Sequence, residues 1–117
     1  MKCLILAAGY ATRLYPLTKN FPKPLLEIAG KSILYRLLED IDLIPEINEH
    51  IIISNARYYD HFVEWKEKST LKNPITIIND GSESNETRLG AVRDIQFAIE
   101  SCNIDDDILV IAGDNVI

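Results

Sequence analysis

The chain of 117 residues is short of most residues that announce a chemistry by themselves. It has two cysteines, Cys3 and Cys102, too far apart in sequence for metal-ligand spacing, which leaves both as reduced packing residues. Its two histidines, His50 and His61, are isolated, so a histidine-centred catalytic constellation is not expected. No apolar run approaches the ~18 residues of a membrane-spanning helix. The start, Met1-Lys2-Cys3, enters a strand without the cleavage pattern of a signal peptide, and a cytoplasmic protein is expected. No G-x-G-x-x-G is present, because Gly9 stands alone between Ala8 and Tyr10. Gly30-Lys31-Ser32 imitates the end of a P-loop, but position 25 is Leu where that motif needs Gly.

Positive charge is also scarce, and its placement is informative. The net charge is −6, yet Gly9 to Lys31 holds Arg13, Lys19, Lys23 and Lys31 against Glu27 alone. That window carries +3 and leaves −9 for the remainder. An acidic chain with one basic window suits a small anion; a nucleic-acid backbone needs an extended basic face. The window follows a short apolar strand, Cys3 to Ala8, that ends at Gly9, and Pro16, Pro22 and Pro24 keep it irregular. A strand running into a glycine turn and a cationic loop is a common phosphate holder: backbone N–H groups approach the anion and long cations close over it.

Beyond the loop, periodicity predicts a helix over Ser32–Leu43, with Ile33, Leu34, Leu37, Leu38 and Ile41 inward and Ser32 near its start. Ile51–Ile53 is a second strand and Tyr58–Lys68 a second helix with Phe62 and Trp65 on one side. Ile75–Ile78 is a third strand. A polar loop from Asn79 to Thr87 leads to a helix from about Leu89 to Ser101, which buries Val92, Ile95, Phe97 and Ile99 in part. Ile108–Ala112 is the fourth strand, ended by Gly113-Asp114-Asn115. Apolar strands alternating with helices imply an α/β fold, a Rossmann-like three-layer α/β/α arrangement around a mostly parallel sheet. With strand order 3-2-1-4, the first and fourth strands are neighbours at the topological switch point. Gly9 and Asp114 then face each other across the ligand crevice.

The segments Leu6-Ala7-Ala8-Gly9, Thr12-Arg13-Leu14-Tyr15-Pro16-Leu17-Thr18, Pro22-Lys23-Pro24-Leu25-Leu26 and Gly30-Lys31 together resemble the opening of the sugar-nucleotide pyrophosphorylases, the nucleotidyl transferases of sugar 1-phosphates. The resemblance implies coupling of a nucleoside triphosphate, UTP or dTTP preferred, to a sugar 1-phosphate with release of pyrophosphate. It implies that Asp114, in its Gly-Asp motif, binds the catalytic Mg²⁺. Arg13 is expected on the departing pyrophosphate and Lys23 near the α-phosphate. Leu6, Ala7, Ala8, Gly9 and Thr12 are expected to line the nucleotide. Asn79, Asp80 and Gly90 form its second contact segment, although Ala91-Val92-Arg93-Asp94 departs from the small-residue run frequent in the family. Members are usually about twice as long, so residues 1–117 are expected to be the nucleotide-binding N-terminal part of a larger domain. An open sheet edge would favour a homo-oligomer. Two alternatives stay open: a cytidylyltransferase acting on a phosphate such as phosphocholine, and a non-catalytic nucleotide-binding module.

Overall fold

The structure, a computed structural model, describes residues 1–8, 22–82 and 91–112. Among these, strands β1 (Lys2–Leu6), β4 (Glu49–Ser54), β5 (Ile75–Asn79) and β6 (Ile108–Ala112) form a parallel sheet in the order β5-β4-β1-β6. This is the expected 3-2-1-4 order, renumbered because a hairpin of β2 (Glu27–Ile28) and β3 (Lys31–Ser32) intervenes. Helices α1 (Ile33–Ile41), α2 (Tyr59–Lys68) and α3 (Ala91–Ser101) make the crossovers.

Cover on both faces accounts for the apolar runs of the central strands β1 and β4. The outer strands β5 and β6 are only part-buried, and Val110 is 39% exposed, because each has a strand neighbour on one side only among the described residues. Cys3, Ile5, Ala7 and Ile52 point to the side where α1 supplies Leu34, Leu37, Leu38 and Ile41 and α2 supplies Phe62. Leu4, Ala8, Ile51 and Ile53 point to the opposite side, where Ala98 of α3 closes the layer. Alternate residues of one strand thus serve two cores.

Ser32 caps α1, its Oγ accepting the Tyr35 N–H at 3.0 Å. All five apolar positions expected on that helix are buried. The third helix meets expectation in part, with Ile95 and Phe97 half-buried. Val92 is 78% exposed and Ile99 is 36% exposed. The buried stripe runs instead through Asp94 and Ala98, flanked by the half-buried Ile95 and Cys102. Those positions recur at helical spacing; Val92 lies away from them, and Ile99 sits at the margin of the stripe, one turn on from Ile95. An acidic residue facing inward hid the true face from a hydrophobic count.

The hairpin was also unforeseen. Ala29 (φ 54°) and Gly30 (φ 86°) are successive left-handed residues, as a two-residue type I′ turn requires. Arg36 secures that turn by donating to the Ile28 carbonyl at 2.6 Å and to the Ala29 carbonyl at 3.3 Å. Gly30-Lys31-Ser32 is therefore hairpin and helix cap, and the Lys31 ammonium pairs with Glu39 at 3.1 Å.

Candidate nucleotide site at the switch point

The register pairs Leu6 with Ile53 on one side and with Ala112 on the other. β1 and β6 therefore end level, as neighbours at the point where the sheet's connections reverse direction. The Ala7 N–H continues the ladder to the Ile53 carbonyl at 2.9 Å. Ala7 and Ala8 are both buried, at 4% exposure, so the chain leaves the sheet under tight steric control.

Of the remaining sequence candidates, Gly9, Thr12, Arg13, Gly90 and Asp114 lie outside the described residues, as do Lys19, Tyr10 and Tyr15. Lys23 opens a short 3₁₀ turn, Lys23–Leu25, and is itself half-buried. Pro22, Pro24 and Leu25 around it are buried, and Leu25 donates its N–H to the Pro22 carbonyl at 3.1 Å. Proline-fixed backbone packed into the core thus holds the base of the lysine.

Asn79 and Asp80 end β5 in two nested side-chain turns. Asn79 Oδ1 accepts the Gly81 N–H at 2.8 Å, and Asp80 Oδ1 accepts both the Ser82 N–H at 2.9 Å and the Ser82 hydroxyl at 2.8 Å. Gly81 takes φ 83°, a left-handed value that glycine adopts without a Cβ penalty. Asn79 is exposed, whereas Asp80 Oδ2 is buried. Asp80 thus turns one carboxylate oxygen into the turn, while its other oxygen is buried near enough to the Asp94 side chain on α3 to act on that carboxyl.

Two residues the sequence did not single out join this end together. Asn55, fully buried, donates from Nδ2 to the Ala8 carbonyl at 3.0 Å and accepts the Tyr58 N–H on Oδ1 at 2.8 Å. The next residue, Ala56, donates its N–H to the Ser82 carbonyl at 2.8 Å. A chain of hydrogen bonds thus runs from the start of the phosphate-loop segment to the turn after β5. Asp94 extends it to α3; it is 6% exposed, and its carboxyl is pushed up to about 7, first by burial, then by the hydrogen bond and charge of Asp80. An Asn directly after an apolar strand was the available signal for Asn55; the cue for Asp94 was an acid at the inward spacing of Ala98.

A cavity of about 540 Å³ lies elsewhere, between the β2–β3 hairpin and α2, lined by Lys31, Tyr35, His61 and Trp65 among others. It contains none of the predicted site residues. The buried Cys3 thiol is pushed up to about 12 by burial and then by the Asp42 charge, which makes it a packing group. Among the described residues no helix is long and apolar enough to cross a membrane.

A parallel α/β sheet whose first and last strands meet at a switch point defines a Rossmann-like ligand-binding half. The family model described as "Nucleotidyl transferase" matches residues 2–117, and the chain belongs to that family. A putative mannose-1-phosphate guanyltransferase of Sulfolobus acidocaldarius is 33% identical over 97% of this chain and 30% of its own length. The bifunctional protein GlmU of Methanococcus aeolicus is 47% identical over 51% of this chain and 16% of its own. Among solved structures, HddC from Yersinia pseudotuberculosis superimposes with a TM-score of 0.79 at 27% identity, covering 97% of this chain and 47% of that one. A UDP-glucose pyrophosphorylase complexed with UDP-glucose shares the fold, with a TM-score of 0.71 at 22% identity over 98% of this chain and 46% of its own. The chain thus spans about a third of the length of the first of these relatives and about half of the solved structures.

Proposed function

We propose that residues 1–117 are the nucleotide-binding part of an enzyme that joins a nucleoside triphosphate to a sugar 1-phosphate and releases pyrophosphate. The observation that carries this reading is the level ending of β1 and β6, Leu6 beside Ala112, in a chain matched to the nucleotidyl transferase family from end to end. Both motif segments, Gly9–Thr18 and Gly113–Asp114, follow directly from those strand ends in sequence.

In the proposed reaction a phosphate oxygen of the sugar 1-phosphate attacks the α-phosphorus of the triphosphate. The bond from that phosphorus to the bridging oxygen breaks, and pyrophosphate leaves with the electron pair. The attacking oxygen is already ionised at neutral pH, so no general base is required. Positioning and charge stabilisation carry the rate. Arg13 offers a planar fork to the departing pyrophosphate, and Lys23 a compact charge beside the α-phosphate. Asp114, a hard oxygen donor, would hold Mg²⁺, which when bound offsets phosphate charge. Among the described residues no trio of His, Cys, Asp or Glu offers another metal site. Leu6, Ala7, Ala8, Gly9 and Thr12 would border the nucleotide, with Asn79 and Gly90 on its base side. UTP or dTTP is the nucleotide expected from the sequence. A cytoplasmic setting fits these substrates, and the outer edge of β6 offers a route to a homo-oligomer.

A thermal-shift panel of UTP, dTTP, CTP, GTP and ATP with Mg²⁺ tests the proposal. One triphosphate at a hundredfold excess over its dissociation constant should stabilise the chain by about 2.7 kcal/mol. The shift should weaken in Lys23→Ala and Asp114→Ala. No shift for any triphosphate in a folded chain would remove the reading. In turnover assays Lys23→Ala should lower kcat by roughly a hundredfold or more while changing nucleotide affinity far less. Equal losses in both would refute the role given to Lys23.

A further inference from the structure

Asp94 is a buried acid that the proposed reaction does not use. With both carboxylates ionised, Asp80 Oδ2 and Asp94 Oδ1 are buried without a hydrogen-bond partner among the described residues. Two acceptors within hydrogen-bonding reach of each other become a bonded pair when one of them holds a proton.

We propose that Asp94 is a positioning residue: it shares one proton with Asp80 and thereby fixes the turn after β5, the turn that presents the base-side segment of the site. The mechanical link is short. Asp80 Oδ1 holds the Ser82 N–H and hydroxyl, and the Ser82 carbonyl accepts the Ala56 N–H beside Asn55. With the proton present, the O–H of one carboxyl donates to the other and Asp80 is clamped from both sides. Removing the proton sets two like charges against each other in a buried space and loosens the clamp.

The surroundings leave Asp80 as the controlling partner. Helix α3 packs on β1 and β4, which present the uncharged Leu4, Ala8, Ile51 and Ile53 to it. On α3 itself, Arg93 and Glu100 are exposed. Burial first, and then Asp80, the charged group acting on it among the described residues, push the Asp94 carboxyl up to about 7. The folded chain then holds a proton that the unfolded chain releases at lower pH. Stability is accordingly complete below the ordinary carboxylate value and declines as pH rises towards the folded value.

The test compares wild type with Asp94→Asn, in which an amide N–H supplies the donor at every pH. In wild type, without nucleotide, Tm should fall by about 5 °C or more between pH 5.5 and 8.5. The Ser82 amide should lose exchange protection over the same range. Asp94→Asn should remove both trends. Parallel trends in the two proteins would overturn the proposal, as would millimolar Mg²⁺ abolishing the wild-type trend, since the pair would then be a cation site. If Asp94→Asn does not fold, Asp80→Asn supplies the same donor from the other side and is read the same way. The positioning role rests on the nucleotide-binding reading. For the triphosphate that binds, affinity should fall about tenfold from pH 6 to 8 in wild type beyond any change in Asp94→Asn. An identical affinity profile would overturn the positioning role. Failure of all five triphosphates to bind would sink the proposed function while the Tm and exchange measurements still decide the proton pair.

Discussion

The two ends of the sheet solve the same problem, polar groups beside an apolar core, in opposite ways. At the amino end the acids Asp42, Glu49 and Asp106 meet counter-charges or donors, although the buried His50 Nδ1 has no hydrogen-bond partner among the described residues. Asp42 takes the His50 Nε2–H at 2.6 Å, the Asn73 amide at 2.9 Å and the Lys72 N–H at 3.0 Å. Lys2 pairs with Glu49 at 3.1 Å, and the terminal ammonium with Asp106 at 3.1 Å. At the carboxyl end the network is built from neutral groups, Asn55, Ser82 and backbone, and finishes in two carboxyls with no cation among the described residues acting on Asp94. Saturated pairing fixes a structure; an acid left without a counter-charge stays responsive. The carboxyl end is also the end at which open α/β sheets in general bind their ligands, in line with the proposed function.

Breaking the amino end should cost the most. Asp42→Ala strips donors from His50, Asn73 and Lys72 of their acceptor in a buried setting, and should destabilise the chain by about 3 kcal/mol. Denaturant unfolding measures the loss, and the triphosphate profile of the remaining folded protein should be unchanged. A change in which nucleotide binds would show that the two ends are not separate. Asn55→Ala attacks the other end. It removes the hydrogen bonds that Asn55 makes with the Ala8 carbonyl and the Tyr58 N–H and should cost about 2 kcal/mol. Here nucleotide affinity should fall together with stability; stability loss with unaltered affinity would deny Asn55 a part in the site.

The smallest effect is the sharpest on the comparison. Burial opposes ionisation of Glu49, but hydrogen bonds from Thr76 and Lys2 and the Lys2 charge outweigh it and hold its carboxyl below the usual range. A depressed folded value means stability that is present above the unfolded value of about 4.5 and lost as pH falls. Asp94 works in the opposite direction, losing stability as pH rises. Acid should therefore loosen the amino end and alkali the carboxyl end. In a pH series of Tm, Glu49→Gln should flatten the acid limb alone, by a degree or two for a fraction of a kcal/mol. A flattened alkaline limb in that variant would overturn the division.

Much of this molecule was legible without coordinates. The apolar runs Cys3–Ala8, Ile51–Ile53, Ile75–Ile78 and Ile108–Ala112 read as strands because helices separated them and no alternation was present, yet only the first two are buried on both faces; Val110 in the last is 39% exposed. Ser32 with the 33/34/37/38/41 spacing fixed the first helix. These features are local: each depends on residues within one or two turns of chain. The pairing of Leu6 with Ala112, the tie from Asn55 to Ala8, the burial of Asp94 and the turned-out Val92 were decided only by tertiary structure. Each joins groups distant in sequence or concerns the direction of a side chain, and a linear pattern of polarity carries neither kind of information.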